Sequence, residues 1–295
     1  MASPRQAYVT IRYGHTPGAK STLASLRRVD AERPIVILTP DSDDGDDGAA
    51  EAAERDALRR RFEPLRLLRV AALRGNGCRA DDIARFARTR NASVEHAKLV
   101  FSSFHAFNLT SYERLVWFEL DQLVLQPLSA LWRLPMPPTA AAAAASVLTE
   151  GCVGGTEYDG DNRTGDWMPA RARKYNTGVV LLRPNVERFG ELVGALGSGA
   201  GGAGAYACRD GFQTLWNRVL AKRVVCLHHS FNCIEHGGDA TFGSRCLLPN
   251  AVRPHVVHFA GASKPWLDAP RRACRSVGCR AWLSFSRNRS PPLKH

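Results

Sequence analysis

The chain has 295 residues, enough to bury a sizeable hydrophobic core, and its 44% of hydrophobic residues is typical of a soluble globular protein. Its formal net charge is +12, but the arginines are spread over the predicted helices, without a recognition helix or an aromatic stacking motif. This distribution speaks against a nucleic-acid partner. No apolar stretch is long enough to span a bilayer, and no signal segment precedes the first predicted strand. The sequence therefore predicts a cytoplasmic protein, in a host cytoplasm if it is viral.

Strands and helices alternate along the chain, a pattern typical of a doubly wound α/β sheet. We expect one domain over residues 1–270, followed by a basic C-terminal tail over residues 271–295. A strand is expected even at the alanine-rich segment 140–145, because small residues let a sheet approach a ligand. Strands are predicted near residues 7–11, 35–38, 65–70, 115–119, 141–147, 178–183, 224–227 and 255–259, and helices near 19–28, 50–62, 94–109, 187–196 and 210–221.

The 8 cysteines are scattered and lack the spacing of a zinc site. Reduced thiols, mostly buried, are therefore expected. The acidic segment 41–48 lacks the spacing of a calcium-binding loop, and the glycine-rich segment 197–204 lacks the lysine of a phosphate-binding loop. Both segments are predicted to be solvated connections.

The most informative segment is an apolar run that ends in two carboxylates. Leu115 to Phe118 has the continuous hydrophobicity of a central parallel strand, and Glu119 and Asp121 follow it directly. Ligands of such sheets collect at the carboxyl ends of the strands. Taken alone, the pair would suit a solvated strand end as well as a cation site.

A second segment strengthens the cation site. Near the C-terminus a short apolar strand ends at His258, and Lys264 follows six residues later. One imidazole and two carboxylates form a mixed nitrogen and oxygen shell that suits Mn²⁺ or Mg²⁺. Lys264 would add a positive charge for a phosphate group.

Together these segments resemble glycosyltransferase family 8, the glycogenin-like nucleotide-sugar transferases. The family is marked by Asp-x-Asp after a strand and by a late His-Phe-x-Gly-x-x-Lys-Pro-Trp motif. Further segments match in the same order between Ala7 and about Trp266. The late motif matches at His258, Phe259, Gly261, Lys264, Pro265 and Trp266, and the other matching segments are Ala7 to Ile11, Leu23 to Arg28, His96 to Leu99, Tyr175 to Leu182 and Gln213 to Asn217.

Two positions depart from the family pattern. The leading aspartate of the metal motif is Glu119 here, which keeps the charge and adds a methylene group. The aspartate that normally precedes Gln213 is replaced by Phe212, so that Asp210 is the nearest acid. Because a helix advances about 100° per residue, a shift of two positions turns a carboxylate to another helix face.

The resemblance implies a single Rossmann-like domain of the GT-A type with a mostly parallel central sheet. It also implies a metal-dependent hexosyltransferase that takes a sugar from a UDP-sugar, such as UDP-glucose, and retains the anomeric configuration. Mn²⁺, or Mg²⁺ in its place, would be held by Glu119, Asp121 and His258. The remaining residues that the resemblance implies are Lys98, Asp210 and Gln213 for catalysis, and Ile11, Tyr13, Lys98, Leu120, Asn176, Thr177, Gly261 and Lys264 for binding the UDP-sugar. Within the donor, the resemblance implies that Ile11 and Tyr13 contact the uridine and that Asn176, Thr177 and Gln213 hold the sugar.

The acceptor is not specified by these motifs, and a glycan, a protein and a small molecule all stay open. Self-glucosylation at the tyrosine position of glycogenin is excluded, because no tyrosine occurs between Asn217 and His258. A second copy of the chain, forming a homodimer, is a candidate partner, whereas a membrane would be contacted only through the basic tail. The competing interpretation is a non-catalytic binding module of the same fold, and a basic RNA-associated protein is a third.

Overall fold

A seven-stranded sheet in the order β3-β2-β1-β4-β7-β6-β8 forms the centre of the computed structural model. Its strands are β1 (Gln6–Ile11), β2 (Ile35–Pro40), β3 (Leu65–Val70), β4 (Arg114–Phe118), β6 (Ala142–Ser146), β7 (Tyr175–Leu182) and β8 (Val224–Leu227). The structure describes residues 5–13, 18–41, 49–75, 78–90, 92–136, 142–146, 175–197, 211–220, 224–227, 229–234, 254–260, 264–266 and 282.

The strand directions confirm the prediction of a mostly parallel sheet. β3, β2, β1 and β4 run parallel to one another, and β6 and β8 form a second parallel pair. β7 lies between the two groups and is antiparallel to both β4 and β6. The chain order 3-2-1-4 places a topological switch point between β1 and β4, where ligands of open α/β sheets bind.

Helices cover both faces of the sheet. α1 (Ala19–Val29), α2 (Ala49–Arg61) and α5 (Ser129–Arg133) pack on one face, around Leu23, Leu58 and Trp132. α3 (Ala80–Arg90), α4 (Val94–Leu99), the 3₁₀-helix Val100–Asn108, α6 (Val186–Gly197) and α7 (Phe212–Leu220) pack on the other. The helix predicted near 94–109 is thus α-helical only in its first six residues. Among the described residues, no helix is long and apolar enough to cross a membrane.

The hydrophobic pattern explains why β4 lies at the centre. Leu115, Val116, Trp117 and Phe118 are all buried, and successive side chains point to opposite faces. Leu115 and Trp117 therefore join one core and Val116 and Phe118 the other. The alanine-rich strand β6 also forms where it was predicted.

The cysteines differ from the prediction. Cys78 and Cys233 are both disulfide-bonded rather than reduced. A scattered spacing along the sequence gives no information on which sulfur atoms the fold brings together.

A smaller sheet with the order β5-β10-β9 lies beside α1, formed by β5 (Gln122–Val124), β9 (Cys233–Ile234) and β10 (Val256–His258). Two buried hydroxyl groups of α1 hold β5. The Thr22 hydroxyl lies 2.9 Å from the carbonyl oxygen of Leu120 and 2.8 Å from that of Gln122. The backbone N–H of Val124 donates to Ser25 Oγ at 2.9 Å. The segment after β4 is therefore anchored by polar contacts to the first helix.

Thr22→Val is expected to lower the free energy of unfolding by about 1–3 kcal/mol, because it keeps the side-chain shape but leaves buried carbonyl oxygens without their donor. Urea denaturation measures this change. Thr39→Val is the matched control, since the Thr39 hydroxyl donates to Leu68 O in an exposed hydrogen bond. Equal losses in the two variants would contradict the anchoring role of Thr22.

Candidate metal centre

The two sheets bring the predicted metal ligands together. Glu119 and Asp121 occupy the turn between the end of β4 and the start of β5. β10 runs antiparallel to β5 with His258 opposite Gln122, and the N–H of Phe259 donates to the carbonyl oxygen of Asp121 at 3.0 Å. The strand register thus fixes His258 beside the acid pair.

The side-chain atoms converge on one point. His258 Nε2 lies 3.2 Å from Glu119 Oε2 and 3.3 Å from Asp121 Oδ1, and one ligand atom from each of the three residues lies within 4.8 Å of the others. Ligands at right angles around an ion with bonds of about 2.1 Å lie about 3 Å apart, so these separations suit a shared Mn²⁺ or Mg²⁺.

Two buried atoms of this group have no hydrogen-bond partner among the residues that the structure describes. They are Asp121 Oδ1 and His258 Nε2, which face each other without the alignment of a hydrogen bond. Buried polar atoms are ordinarily satisfied, and a bound cation would satisfy both. The residues present therefore fit a divalent metal ion.

The electrostatics of the group are those of a tightly coupled acid and base. Burial alone would raise the pKa of the Asp121 carboxyl, but His258 and Lys264 outweigh it and hold that pKa well below its usual range. Burial alone would lower the pKa of His258, but Asp121 and Glu119 outweigh it and raise that pKa to about 9. The acid pair therefore attracts positive charge strongly at this position, as a metal site must.

Lys264 lies at the edge of the same group. Its ammonium group donates to Asp121 Oδ2 and, at 2.6 Å, to the carbonyl oxygen of Phe259. It also lies 5.9 Å from the ring centroid of Trp266, which packs beside Gly18 at the start of α1. Gly261, the other predicted residue of this segment, lies outside the described residues.

Of the residues predicted for the sugar, Asn176 and Thr177 lie at the start of β7 and Gln213 lies on α7. Because β7 is antiparallel to β4, its first residues lie beside the end of β4, and the N–H of Glu119 donates to the carbonyl oxygen of Gly178 at 3.1 Å. The N–H of Thr177 donates to Gln213 Oε1 at 3.1 Å. Thr177 and Gln213 are thus in contact, and Asn176 directly precedes Thr177 on β7.

Asn232 joins this group although no sequence pattern singled it out. His258 Nδ1 lies 3.0 Å from Asn232 Oδ1, and Asn232 Nδ2 donates to Asn176 Oδ1 at 2.6 Å. His258 lies on β10, Asn176 lies on β7 and Asn232 directly precedes β9. Only the folded structure brings these three residues together.

Gly178 provides the space for His258. A Cβ atom at this position would lie 2.3 Å from His258 Nδ1 and 2.6 Å from Gln122 Nε2, closer than real Cβ atoms approach such groups. The Asn-Thr-Gly sequence of β7 therefore needs its glycine for a steric reason.

Ile11 and Tyr13, the residues predicted for the uridine, lie around the end of β1, on the opposite side of the acid pair from β7, and Leu120 lies between the two acids. Ile11 and Leu120 are buried, and the Tyr13 hydroxyl donates to the carbonyl oxygen of Val100 at 3.2 Å. Burial and the nearby Glu119 carboxylate both raise the pKa of Tyr13. Tyr13 therefore lies within the electrostatic field of the acid pair.

α4 presents His96 to Tyr13. The His96 ring lies 4.4 Å from the Tyr13 ring, centroid to centroid. The pKa of His96 is lowered, mainly by burial and also by Lys264, while Glu119 acts in the opposite direction. His96 therefore lies close enough to Glu119 and Lys264 to sense their charges. The Lys98 ammonium nitrogen lies 3.3 Å from Glu95 Oε2, and 41% of the Lys98 side chain is exposed. Residues two positions apart on a helix point in different directions, so the two side chains have different surroundings.

Phe212, the second departure from the family pattern, belongs to an aromatic cluster. Its ring lies 5.9 Å from Trp117 and 5.8 Å from Trp216. A carboxylate at position 212 would be placed against these rings. Asp210 lies outside the described residues.

Solved glycosyltransferase structures share this fold. The galactosyltransferase LgtC, solved with donor and acceptor sugar analogs, gives a TM-score of 0.61 at 17% identity and covers 96% of this chain and 97% of its own. GlyE of Streptococcus pneumoniae TIGR4 gives 0.59 at 18% identity, over 95% of this chain and 60% of its own. At these identities the likeness concerns the fold, which is of the GT-A type.

Comparisons of the sequence point to the same family. A glycogenin of Komagataella phaffii is 23% identical over 301 residues, which cover 95% of this chain and 64% of that protein. This chain therefore spans less than two thirds of the length of that relative. The family model "Glycosyl transferase family 8" matches residues 79–269, a segment that includes both carboxylates and His258. The chain belongs to glycosyltransferase family 8.

Proposed function

We propose that this chain is a metal-dependent, retaining hexosyltransferase that moves a sugar from a UDP-sugar to an acceptor. The observation that carries the proposal is the convergence of Glu119, Asp121 and His258 on one point, with two buried atoms that find no hydrogen-bond partner in the described part of the chain. The catalytic unit is proposed to span residues 1–270, with residues 271–295 as a basic tail.

Glu119, Asp121 and His258 would hold Mn²⁺, or Mg²⁺ in its place. A divalent ion there would contact the two phosphates of the donor and offset the negative charge that develops on the departing UDP. The longer side chain of Glu119 supports this assignment, because its Oε2 already lies 3.2 Å from His258 Nε2.

Lys264 would stabilise the same leaving group. Its ammonium group contacts Asp121 and lies at the rim of the metal ligands, within reach of a diphosphate bound there. Lys98 is the second proposed phosphate contact. Its ammonium nitrogen lies 3.3 Å from Glu95 Oε2, so a phosphate there would compete with this ion pair. Of the two lysines, Lys264 has the stronger support because it touches a metal ligand.

Ile11, Tyr13, Leu120 and Gly261 are proposed to contact the nucleotide, and Asn176, Thr177 and Gln213 the sugar. This division follows the sheet, since β1 ends on one side of the acid pair and β7 begins on the other. The acid pair lies between the two sets, as a metal ion that joins nucleotide and sugar through phosphates requires.

The proposed reaction exchanges one bond at the anomeric carbon. The acceptor hydroxyl oxygen forms a bond to that carbon on the face from which UDP leaves. The bond to the phosphate oxygen breaks with its electron pair going to UDP, and the acceptor proton passes to that oxygen. No side-chain carboxylate is then required as a base, which accommodates Phe212, while Asp210 and Gln213 stay the candidates for positioning the sugar.

The acceptor is proposed to be a glycan, a protein or a small molecule, and not a tyrosine of this chain between Asn217 and His258. A homodimer is a candidate assembly. The second candidate function is a nucleotide-sugar-binding module without transfer activity. Phe212 favours it, because its aromatic contacts replace an acid that the family uses.

The cytoplasmic location stays a prediction that the redox state of two cysteines tests. Disulfides such as those of Cys78 and Cys233 are rare in a reducing cytosol. Acid quenching of cells, followed by alkylation of thiols under denaturing conditions and mass spectrometry, distinguishes the locations. Alkylated Cys78 and Cys233 would support the cytoplasm, and blocked cysteines an oxidising compartment.

Asp121→Asn is expected to abolish Mn²⁺-dependent binding of UDP, because it removes the charge of a central ligand without changing its size. Isothermal titration of UDP with and without Mn²⁺ measures this, and release of UDP from a panel of UDP-sugars then identifies the donor. Asp56→Asn, at an exposed position of α2, is the control. Mn²⁺-dependent binding without UDP release would favour the binding module, and no UDP binding in the unsubstituted protein would refute both.

Gly178→Ala is expected to weaken Mn²⁺ binding at least tenfold, because the added methyl group would displace the His258 ring. Electron paramagnetic resonance of free Mn²⁺ measures the affinity, and circular dichroism verifies the fold. Gly190→Ala in α6 is the matched control, since nothing lies within 4 Å of its added Cβ. Unchanged affinity in a folded Gly178→Ala protein would exclude His258 as a ligand.

A further inference from the structure

We propose that Asn232 is a positioning residue that sets the protonated nitrogen of His258 and links the metal site to Asn176 of the sugar site. The inference rests on the proposed function, since it assigns a partner to one of the proposed metal ligands. Asn232 lies outside the sequence motifs that match the family, and it directly precedes β9 rather than belonging to a strand.

The orientation of each amide in this chain of hydrogen bonds follows from one backbone group. The N–H of Gly178 donates to the Asn176 side chain at 2.8 Å, and because a backbone N–H only donates, the atom that it meets must be the carbonyl oxygen, Oδ1. The atom of Asn232 that lies 2.6 Å from the same oxygen must be a donor, which is Nδ2. Asn232 Oδ1 therefore faces His258.

This orientation determines the role of the imidazole. Asn232 Oδ1 only accepts, so His258 Nδ1, at 3.0 Å, must carry a hydrogen atom. In the neutral ring the lone pair then belongs to Nε2, the atom that faces Glu119 and Asp121. A metal ion needs that lone pair at that position, and ligating histidines are commonly oriented by a hydrogen bond to their other nitrogen.

The backbone holds Asn232 firmly in place. Its side chain is 4% exposed, and His258 is 1% exposed. Asn232 lies between the 3₁₀ turn His229–Phe231 and β9, and β9 pairs with β10 so that Ile234 lies opposite His258. Asn176, in contrast, belongs to the central sheet. Asn232 is therefore a hydrogen-bonded link between the small sheet that carries the imidazole and the central sheet that carries the sugar residues.

Two substitutions separate the two halves of the link. Asn232→Leu removes both hydrogen bonds and is expected to weaken Mn²⁺ binding by about 10- to 100-fold, the usual effect of losing an outer partner of a ligand. Asn232→Asp keeps an acceptor for His258 but has no N–H for Asn176. It is expected to bind Mn²⁺ and UDP at least as tightly as the unsubstituted protein, and to bind the UDP-sugar more weakly relative to UDP.

Electron paramagnetic resonance of Mn²⁺ and calorimetry with UDP and the UDP-sugar provide these affinities. Asn185→Leu is the matched control, because Asn185 caps α6 by accepting from the N–H of Arg188 and lies outside the site. It is expected to lower stability without changing Mn²⁺ affinity. Mn²⁺ affinity that is equal in Asn232→Leu and the unsubstituted protein would overturn the inference, as would equal losses in the Leu and Asp variants.

Nitrogen-15 spectra of histidine-labelled protein test the link without any metal, at a pH above the raised pKa of His258, where the ring is neutral and carries a single proton. The unsubstituted protein is expected to show a slowly exchanging proton on His258 Nδ1, and Asn232→Leu is expected to lose it. An unprotonated Nδ1 in the unsubstituted protein would refute the link even if Mn²⁺ binds. A protein that binds no Mn²⁺ but shows the protected proton would refute the proposed function and leave the link established.

Discussion

One reversal of strand direction determines the composition of the site. Were β7 parallel to β4, its first residues would lie at the opposite edge of the sheet, far from the acid pair. Because β7 is antiparallel, Asn176 and Gly178 lie beside Glu119, and the N–H of Glu119 is bound by a carbonyl oxygen of β7. The absence of a Cβ at Gly178 then admits the His258 ring. The imidazole, the acid pair and the residues proposed to hold the sugar therefore lie together at one edge of the central sheet.

Much of this arrangement is readable from local patterns. The continuous apolar run of β4 predicts its central position, and the acid pair that follows predicts the functional edge. The split of the helix near 94–109 and the side chain that α4 directs toward Tyr13 were not readable. Tertiary packing decides which helix face meets the sheet, and it places His96 beside Tyr13. Asn232 is the clearest omission, because its partners His258 and Asn176 lie 26 and 56 residues away in sequence.

Phe212 illustrates how a departure from a motif acquires a structural meaning. In the sequence it is a lost acid, whereas in the structure its ring packs against Trp117 and Trp216. Trp117 belongs to β4 itself, so position 212 supports the strand that delivers the acid pair. An aspartate there would place a carboxylate against aromatic rings at a partly buried position, which costs solvation energy unless a hydrogen-bond partner is supplied. The change at 212 and the aromatic residues around it are thus one packing unit.

The distance along the chain between Asp121 and Lys264, 143 residues, has a consequence for how the protein is made. The parallel strands β1 to β4 are complete early in synthesis, and the acid pair with them. The imidazole and the ammonium group arrive only with the last of the segment that matches the family. Closing so long a loop is slow compared with forming local contacts. A nascent or C-terminally shortened chain therefore presents two uncompensated carboxylates, and the binding site is assembled only once nearly the whole domain has emerged.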